Sequence, residues 1–105
     1  MSFDPVQLTP TAESDLERLF DYLLDRAETT EDLDRAQAAI DTIRAVMQQQ
    51  LALTPYSFRK AAQSPARREL IIPFGGTGYV ALYEIVSPSR VAVLAVRHQR
   101  EEDYH

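Results

Sequence analysis

The sequence predicts an α+β domain: a helical hairpin packed on one face of a curved antiparallel sheet, in the order strand, helix, helix, strand, strand, strand. Three observations predict it. Apolar residues recur at three- and four-residue spacing through the first half of the chain, as on amphipathic helices. Three segments rich in Val, Ile, Leu and Tyr fill the second half. The joints between those segments, Gly75-Gly76-Thr77 and Ser87-Pro88-Ser89, are turn compositions. They are too short for a parallel return, which needs about a dozen residues or more, so these strands are antiparallel neighbours.

The first element is a short strand at Val6 and Leu8, with Phe3 as an outer member of the same alternation, ended by Thr9-Pro10. Thr9 then serves as N-cap and Pro10 as the first helical residue, where a missing N–H costs nothing. Ala12, Leu16, Leu19, Phe20, Leu23, Leu24 and Ala27 form the apolar stripe of the first helix, with Glu13, Glu17, Asp21 and Asp25 on its solvent side. The second helix starts at about Thr30, with Glu31, Asp32 and Asp34 where the macrodipole favours anions. Its stripe is Leu33, Ala36, Ile40, Ile43, Met47 and Leu51, and it ends before Pro55. Two helices joined by so few residues form an antiparallel hairpin. Strands at 68–74, 78–86 and 90–98 supply the sheet that this hairpin covers. Leu16, Leu19, Leu23, Ile40, Ile43 and Met47 are expected to pack on Leu70, Ile72, Val80, Leu82, Val93 and Leu94, or on the residues next to these if the opposite sheet face is the buried one.

A chain of 105 residues is read as one domain spanning 1–105. Its 45% apolar and 26% charged residues are ordinary globular usage. The absence of cysteine excludes thiolate metal sites, Fe–S clusters, cysteine nucleophiles and disulfides. No apolar run is long enough to span a bilayer, and Met1-Ser2-Phe3-Asp4-Pro5 lacks the basic and apolar regions of an export signal, so a cytoplasmic location without membrane contact is expected.

The net charge of −5 hides a division. Residues 1–34 carry ten acids against Arg18 and Arg26, a net −8. Residues 59–100 carry Arg59, Lys60, Arg67, Arg68, Arg90, Arg97 and Arg100 against Glu69 and Glu84, a net +5. An acidic whole is a poor non-specific nucleic-acid binder, so sequence-specific nucleic-acid binding is not expected, while a local basic surface for a protein partner is.

Several stretches carry a resemblance over nearly the whole chain. They are Ala12-x-x-Asp15-Leu16-x-x-Leu19-x-x-Tyr22, Leu51-x-x-x-Pro55, Arg68-Glu69-Leu70, Gly78-Tyr79-x-x-x-Tyr83, and 93–101 (Val-Leu-Ala-Val-Arg-His-Gln-Arg-Glu) with Tyr104 close behind. In this order they resemble the ParE branch of the RelE/ParE toxin superfamily, which includes plasmid stabilisation proteins. The resemblance implies a type II toxin with a cognate antitoxin. It also implies one of two activities: poisoning of DNA gyrase without a catalytic site, as in ParE-like members, or ribosome-dependent mRNA cleavage, as in RelE-like members. A regulatory member that acts only through antitoxin binding is a third reading.

Cleavage through the 2′-hydroxyl requires a base, an acid and cations. Arg67, Arg68, Arg97, His98, Arg100, Tyr104 and His105 are the candidates. Strict alternation puts Arg97 on the face of Val91, Val93 and Ala95, and His98 on that of Ala92, Leu94 and Val96, so the two do not share a groove. Lys60 is the only lysine, and Glu101-Glu102-Asp103 sets three acids beside this end, where they repel RNA. The expectation is therefore no catalytic residue and no cofactor, with gyrase as target and Arg59, Lys60, Arg67, Arg68, Arg97 and Arg100 as partner-binding residues. His98 is read as a structural histidine, Arg68 as a strand-end residue paired with Glu69 or Glu84, and Tyr79 and Tyr83 as sheet packing. His98, Asp103 and His105 do not make a convincing metal set, and 75–78 is a hairpin rather than a phosphate loop because no helix or lysine follows.

Overall fold

The computed structural model describes residues 5–61, 64–101 and 103–105. Its elements are β1 (Val6–Leu8), α1 (Pro10–Asp25), α2 (Thr30–Leu53), a 3-10 turn (Pro55–Ser57), β2 (Arg59–Lys60), β3 (Arg67–Phe74), β4 (Thr77–Ser87) and β5 (Arg90–His98). The predicted order stands, with β2 as an added edge strand. Phe3 and Glu102 lie outside the described residues.

Both helix starts follow local chemistry. Thr9 and Thr29 are extended, and their hydroxyls accept the N–H groups of Ala12 and Asp32. Pro10 occupies the first turn of α1. The Gly75-Gly76 loop between β3 and β4 needs a positive φ at its first residue, and Gly75 supplies it at 59°.

The sheet order is β1-β5-β4-β3-β2. From β2 to β5 all neighbours are antiparallel, as expected, but β1 joins β5 in parallel, Val6 opposite Val91 and Leu8 opposite Val93. The sheet is therefore mixed rather than wholly antiparallel. The whole hairpin and three strands lie between β1 and β5, so the length restriction on parallel connections does not apply.

The helices cover one face. Leu16, Leu19, Ile40, Ile43, Met47 and Leu51 bury there with Leu70, Ile72 and Val93, as expected. Across β4 the buried partners are Tyr79, Ala81 and Tyr83 instead of Val80 and Leu82, which belong to the opposite face. Leu33 is a further difference: it precedes the region of α2 that reaches the sheet and is 47% exposed. Glu13, although on the outer side of α1, pairs with Arg44 of α2 at 2.7 Å, tying the two helices together.

The strands bend at two irregularities, and the one on β5 changes what faces the helices. Tyr83 lies opposite Val93 and Leu82 opposite Ala95, which leaves Leu94 as the extra residue of a bulge. After it the alternation is inverted. Val91, Val93, Val96 and His98 share the helix face, and Ala95 and Arg97 the back face. Strict alternation had assigned Arg97 and His98 the other way round.

Past Val93, no strand among the described residues lies on the outer side of β5, because β1 ends at Leu8. Side chains of α1 take over. The Thr9 hydroxyl donates to Leu94 O at 3.2 Å, Asp15 accepts the Val96 N–H at 2.9 Å, and Arg18 donates to Val96 O at 3.4 Å. Asp15 is 4% exposed, an acid placed inside the apolar stripe between Ala12 and Leu19.

Replacing Asp15 by Ala should cost about 1–3 kcal/mol, because it leaves the buried Val96 N–H without an acceptor, whereas Asn keeps one. Leu19→Ala and Ile43→Ala should each cost about 2–5 kcal/mol by opening a cavity. Urea unfolding of the purified variants measures all four, and an Asp15→Ala no less stable than Asp15→Asn would reject the edge-capping account.

Candidate functional site

The predicted site residues fall in two places. Arg59, Lys60, Arg67 and Arg68 lie where β2 meets the start of β3, and Arg97, His98, Arg100 and Tyr104 lie around the end of β5. One concave site does not contain them all.

At the first place the positive charges are unevenly occupied. Arg59 pairs with Glu69 at 3.0 Å and Arg67 with Glu84 at 3.6 Å. Arg68, expected to pair with Glu69 or Glu84, pairs with neither. Its Nη1 donates to Phe58 O at 2.8 Å, and the guanidinium stands 5.9 Å from the Tyr56 ring. Lys60 sits exposed directly across from Arg68 on the edge strand. Like charges at opposing positions repel, so this corner is complementary to an anion.

At the second place nearly every polar group is internally engaged. The segment from His98 to Glu101 is a turn closed by Glu101 N–H to His98 O at 3.0 Å. The Glu101 carboxylate returns the bond by accepting the His98 N–H at 3.1 Å, and Gln99 N–H donates to Gly78 O at 3.0 Å. Gly78 permits this approach, since a Cβ there would lie 3.0 Å from Ile72 O and 2.9 Å from Gln99 Oε1. Arg18 forks onto both Glu101 oxygens at 3.2 Å, so one of the three acids at this end is neutralised internally.

His98 has both ring nitrogens occupied. Nδ1 accepts the Arg100 N–H at 3.1 Å, which assigns the proton to Nε2, and Nε2–H donates to Thr77 Oγ1 at 2.5 Å. The Tyr79 ring meets it edge-on at 5.4 Å between centroids. Burial, reinforced by Arg100, pushes its pKa below the usual histidine value against the opposing pull of Glu101. The histidine is neutral and lacks a free lone pair for accepting a substrate proton.

Arg97 and Tyr104 occupy the back face. Arg97 Nη1 donates to Glu101 O at 2.6 Å and to the carbonyls of His98 and Gln99 at 3.3 and 3.4 Å, and its guanidinium lies 5.1 Å from the Tyr104 ring. The Tyr104 hydroxyl donates to Glu69 at 2.5 Å, and burial with that carboxylate pushes its pKa up. Asp103 accepts the Tyr104 N–H, and His105 contacts Glu101, so the residues weighed as a metal set point to separate partners.

Arg100 differs. It is exposed in the turn, and among the described residues nothing pairs with its guanidinium. It stands on the rim of a groove of about 620 Å³ between α1 and the β4–β5 end, floored by Leu19, Leu23 and Tyr79 and flanked by the exposed Tyr22. Sequence reasoning missed Asp15, Arg18 and Glu101 as builders of this end. The available signal was Asp15 within the apolar stripe and Arg18 three residues on.

Residues 6–103 match the family described as ParE toxin of type II toxin-antitoxin system, parDE. A relative named Toxin RelE3, from Caulobacter vibrioides, is 35% identical over 96 residues, covering 91% of this chain and 95% of its own. The fold is shared with a solved chromosomal ParDE TA system from P. aeruginosa, with a TM-score of 0.69 at 14% identity over 89% of this chain and 92% of that one.

The lowered His98 pKa has a defined sign. A histidine held neutral contributes stability that is fully present above the unfolded value of about 6.5 and is lost as pH falls through the lower folded value. The melting temperature should therefore drop as pH is lowered below about 6.5. His98→Asn, whose amide oxygen still accepts the Arg100 N–H, should flatten that window in differential scanning calorimetry. An unchanged slope in the variant would assign the drop to other groups.

Proposed function

The chain belongs to the ParE toxin family of type II toxin–antitoxin systems, with a cognate antitoxin as partner, and from that premise we propose that it arrests growth by protein–protein contact with DNA gyrase and has no catalytic site. One observation carries this reading: the three groups at this end best suited to RNA cleavage, His98, Tyr104 and Arg97, are already engaged. His98 is bonded at both ring nitrogens, Tyr104 donates to Glu69, and Arg97 clamps three carbonyls. Proton transfer needs a base and an acid with free valences toward substrate. What remains for a partner is Arg100 beside an apolar groove, a combination typical of interface anchors. Ribosome-dependent mRNA cleavage is the competing reading, favoured by the name RelE3 of one relative.

The antitoxin, in this proposal, lays an acidic segment with apolar anchors along the helical hairpin and the β2–β3 edge, meeting Arg59, Lys60, Arg67 and Arg68. The unrelieved proximity of Lys60 and Arg68 supports it, because complementary charge both steers a partner and sets its register.

Induced expression of wild type and His98→Asn should arrest growth at similar doses, with supercoiling blocked and ribosome-bound mRNA intact. Loss of a true general base or acid would lower the rate about 10²–10⁴-fold. Wild-type mRNA cleavage that disappears in His98→Asn, with supercoiling untouched, would establish the ribonuclease instead. For the antitoxin, Lys60→Glu with Arg67→Glu should weaken binding about tenfold or more in calorimetry, leaving the Arg68 bond to Phe58 intact. Unaltered affinity would move the antitoxin to another surface.

A further inference from the structure

The turn from His98 to Glu101 is braced from two sides by arginines that belong to different parts of the chain. From α1, Arg18 forks onto Glu101 and reaches Val96 O. From β5, Arg97 holds the Glu101 carbonyl at 2.6 Å. Between them the turn closes on itself through the His98 and Glu101 backbones, and the Arg100 N–H is fixed on His98 Nδ1. The backbone of Arg100 is thus held while its side chain projects free.

We infer that Arg18 is a positioning residue for the toxin's target contact, acting through Glu101 and the turn to hold Arg100 at the groove rim. The inference rests on the reading of Arg100 as a contact with the target. Two physical arguments support it. An arginine presented on a turn must be ordered on binding, and ordering beforehand removes that cost from the association. The Arg18–Glu101 pair is also only partly buried, with the two side chains 35% and 24% exposed. Pairs of this exposure contribute little to global stability, so what Arg18 adds to stability lies in its bond to Val96 O and its approach to Asp15 at 3.8 Å, while its contact with Glu101 serves geometry. The fork matters here: one planar guanidinium meets both Glu101 oxygens and the strand carbonyl at once, which a lysine does only in part.

A double-mutant cycle on the full chain tests this. Arg18→Ala, Arg100→Ala, the double variant and Arg18→Lys are compared by the expression level that halves growth and by the concentration that blocks supercoiling. Arg18→Ala and Arg100→Ala should each weaken toxicity about tenfold. The double variant should be no weaker than Arg100→Ala, because Arg18 has nothing left to position. Arg18→Lys should recover part of the loss, antitoxin affinity should stay at the wild-type value in Arg18→Ala, and its melting temperature should fall only by the several degrees that one lost backbone partner costs. Multiplicative losses in the double variant, wild-type potency of Arg18→Ala, or unfolding of Arg18→Ala at the assay temperature that accounts for its potency loss would each overturn the inference. Wild-type potency of Arg100→Ala would overturn it together with the reading of Arg100 as a contact. Growth arrest with unimpeded supercoiling would reject gyrase alone, and the cycle read in the growth assay would still decide the role of Arg18.

Discussion

The outer edge of β5 beyond Val93 is the constraint on which the rest of the structure depends. Each buried backbone group left without a partner there would cost about 1–3 kcal/mol, and no strand among the described residues supplies one. α1 serves in its place. Thr9 closes the helix start and the strand edge with one hydroxyl, accepting Ala12 N–H and donating to Leu94 O. Asp15 and Arg18, three residues apart on the same helix face, meet Val96 N–H and Val96 O. Glu101 continues the row at His98 N–H. This row fixes how α1 lies along the sheet, while Leu16 and Leu19 bury the apolar area that holds it there.

The Leu94 bulge works together with that edge. One extra residue inverts the alternation, so the polar end of β5 enters the helix side as His98 and the back side as Arg97. A histidine between Tyr79, Thr77 and the Arg100 amide is desolvated and neutral, as a turn-forming residue needs. The back face gains an arginine that gathers carbonyls and stacks near Tyr104, whose hydroxyl reaches Glu69 on β3. Val80 and Ala95, which point to this face, are accordingly buried although the helices lie on the other side.

Charge division along the chain becomes a division of surfaces. Several acids of the N-terminal half are internal to the fold or tie its elements, as Asp15 and Glu13 do, and Glu101 completes the pattern from the other end of the chain. Of the basic residues of the second half, Arg59, Lys60, Arg67 and Arg68 lie where β2 meets β3, Arg97 and Arg100 at the end of β5, and Arg90 at its start.

Periodicity and turn chemistry in the sequence were sufficient for the helices, the Thr9 cap of the first, the hairpin at Gly75-Gly76 and the three long strands, because each depends on neighbours within a few residues. The burial of Leu19, Ile43 and Met47 was legible for the same reason. The packing of Tyr79 and Tyr83 was also legible from their place on strands. Only the tertiary structure decided that β1 runs parallel beside β5, that Leu94 bulges and exchanges the faces of Arg97 and His98, and that Asp15, Arg18 and Glu101 meet across more than eighty positions of chain. Those outcomes depend on which distant backbone groups lack a partner once the sheet has formed. That demand exists only in three dimensions and leaves no period in the sequence.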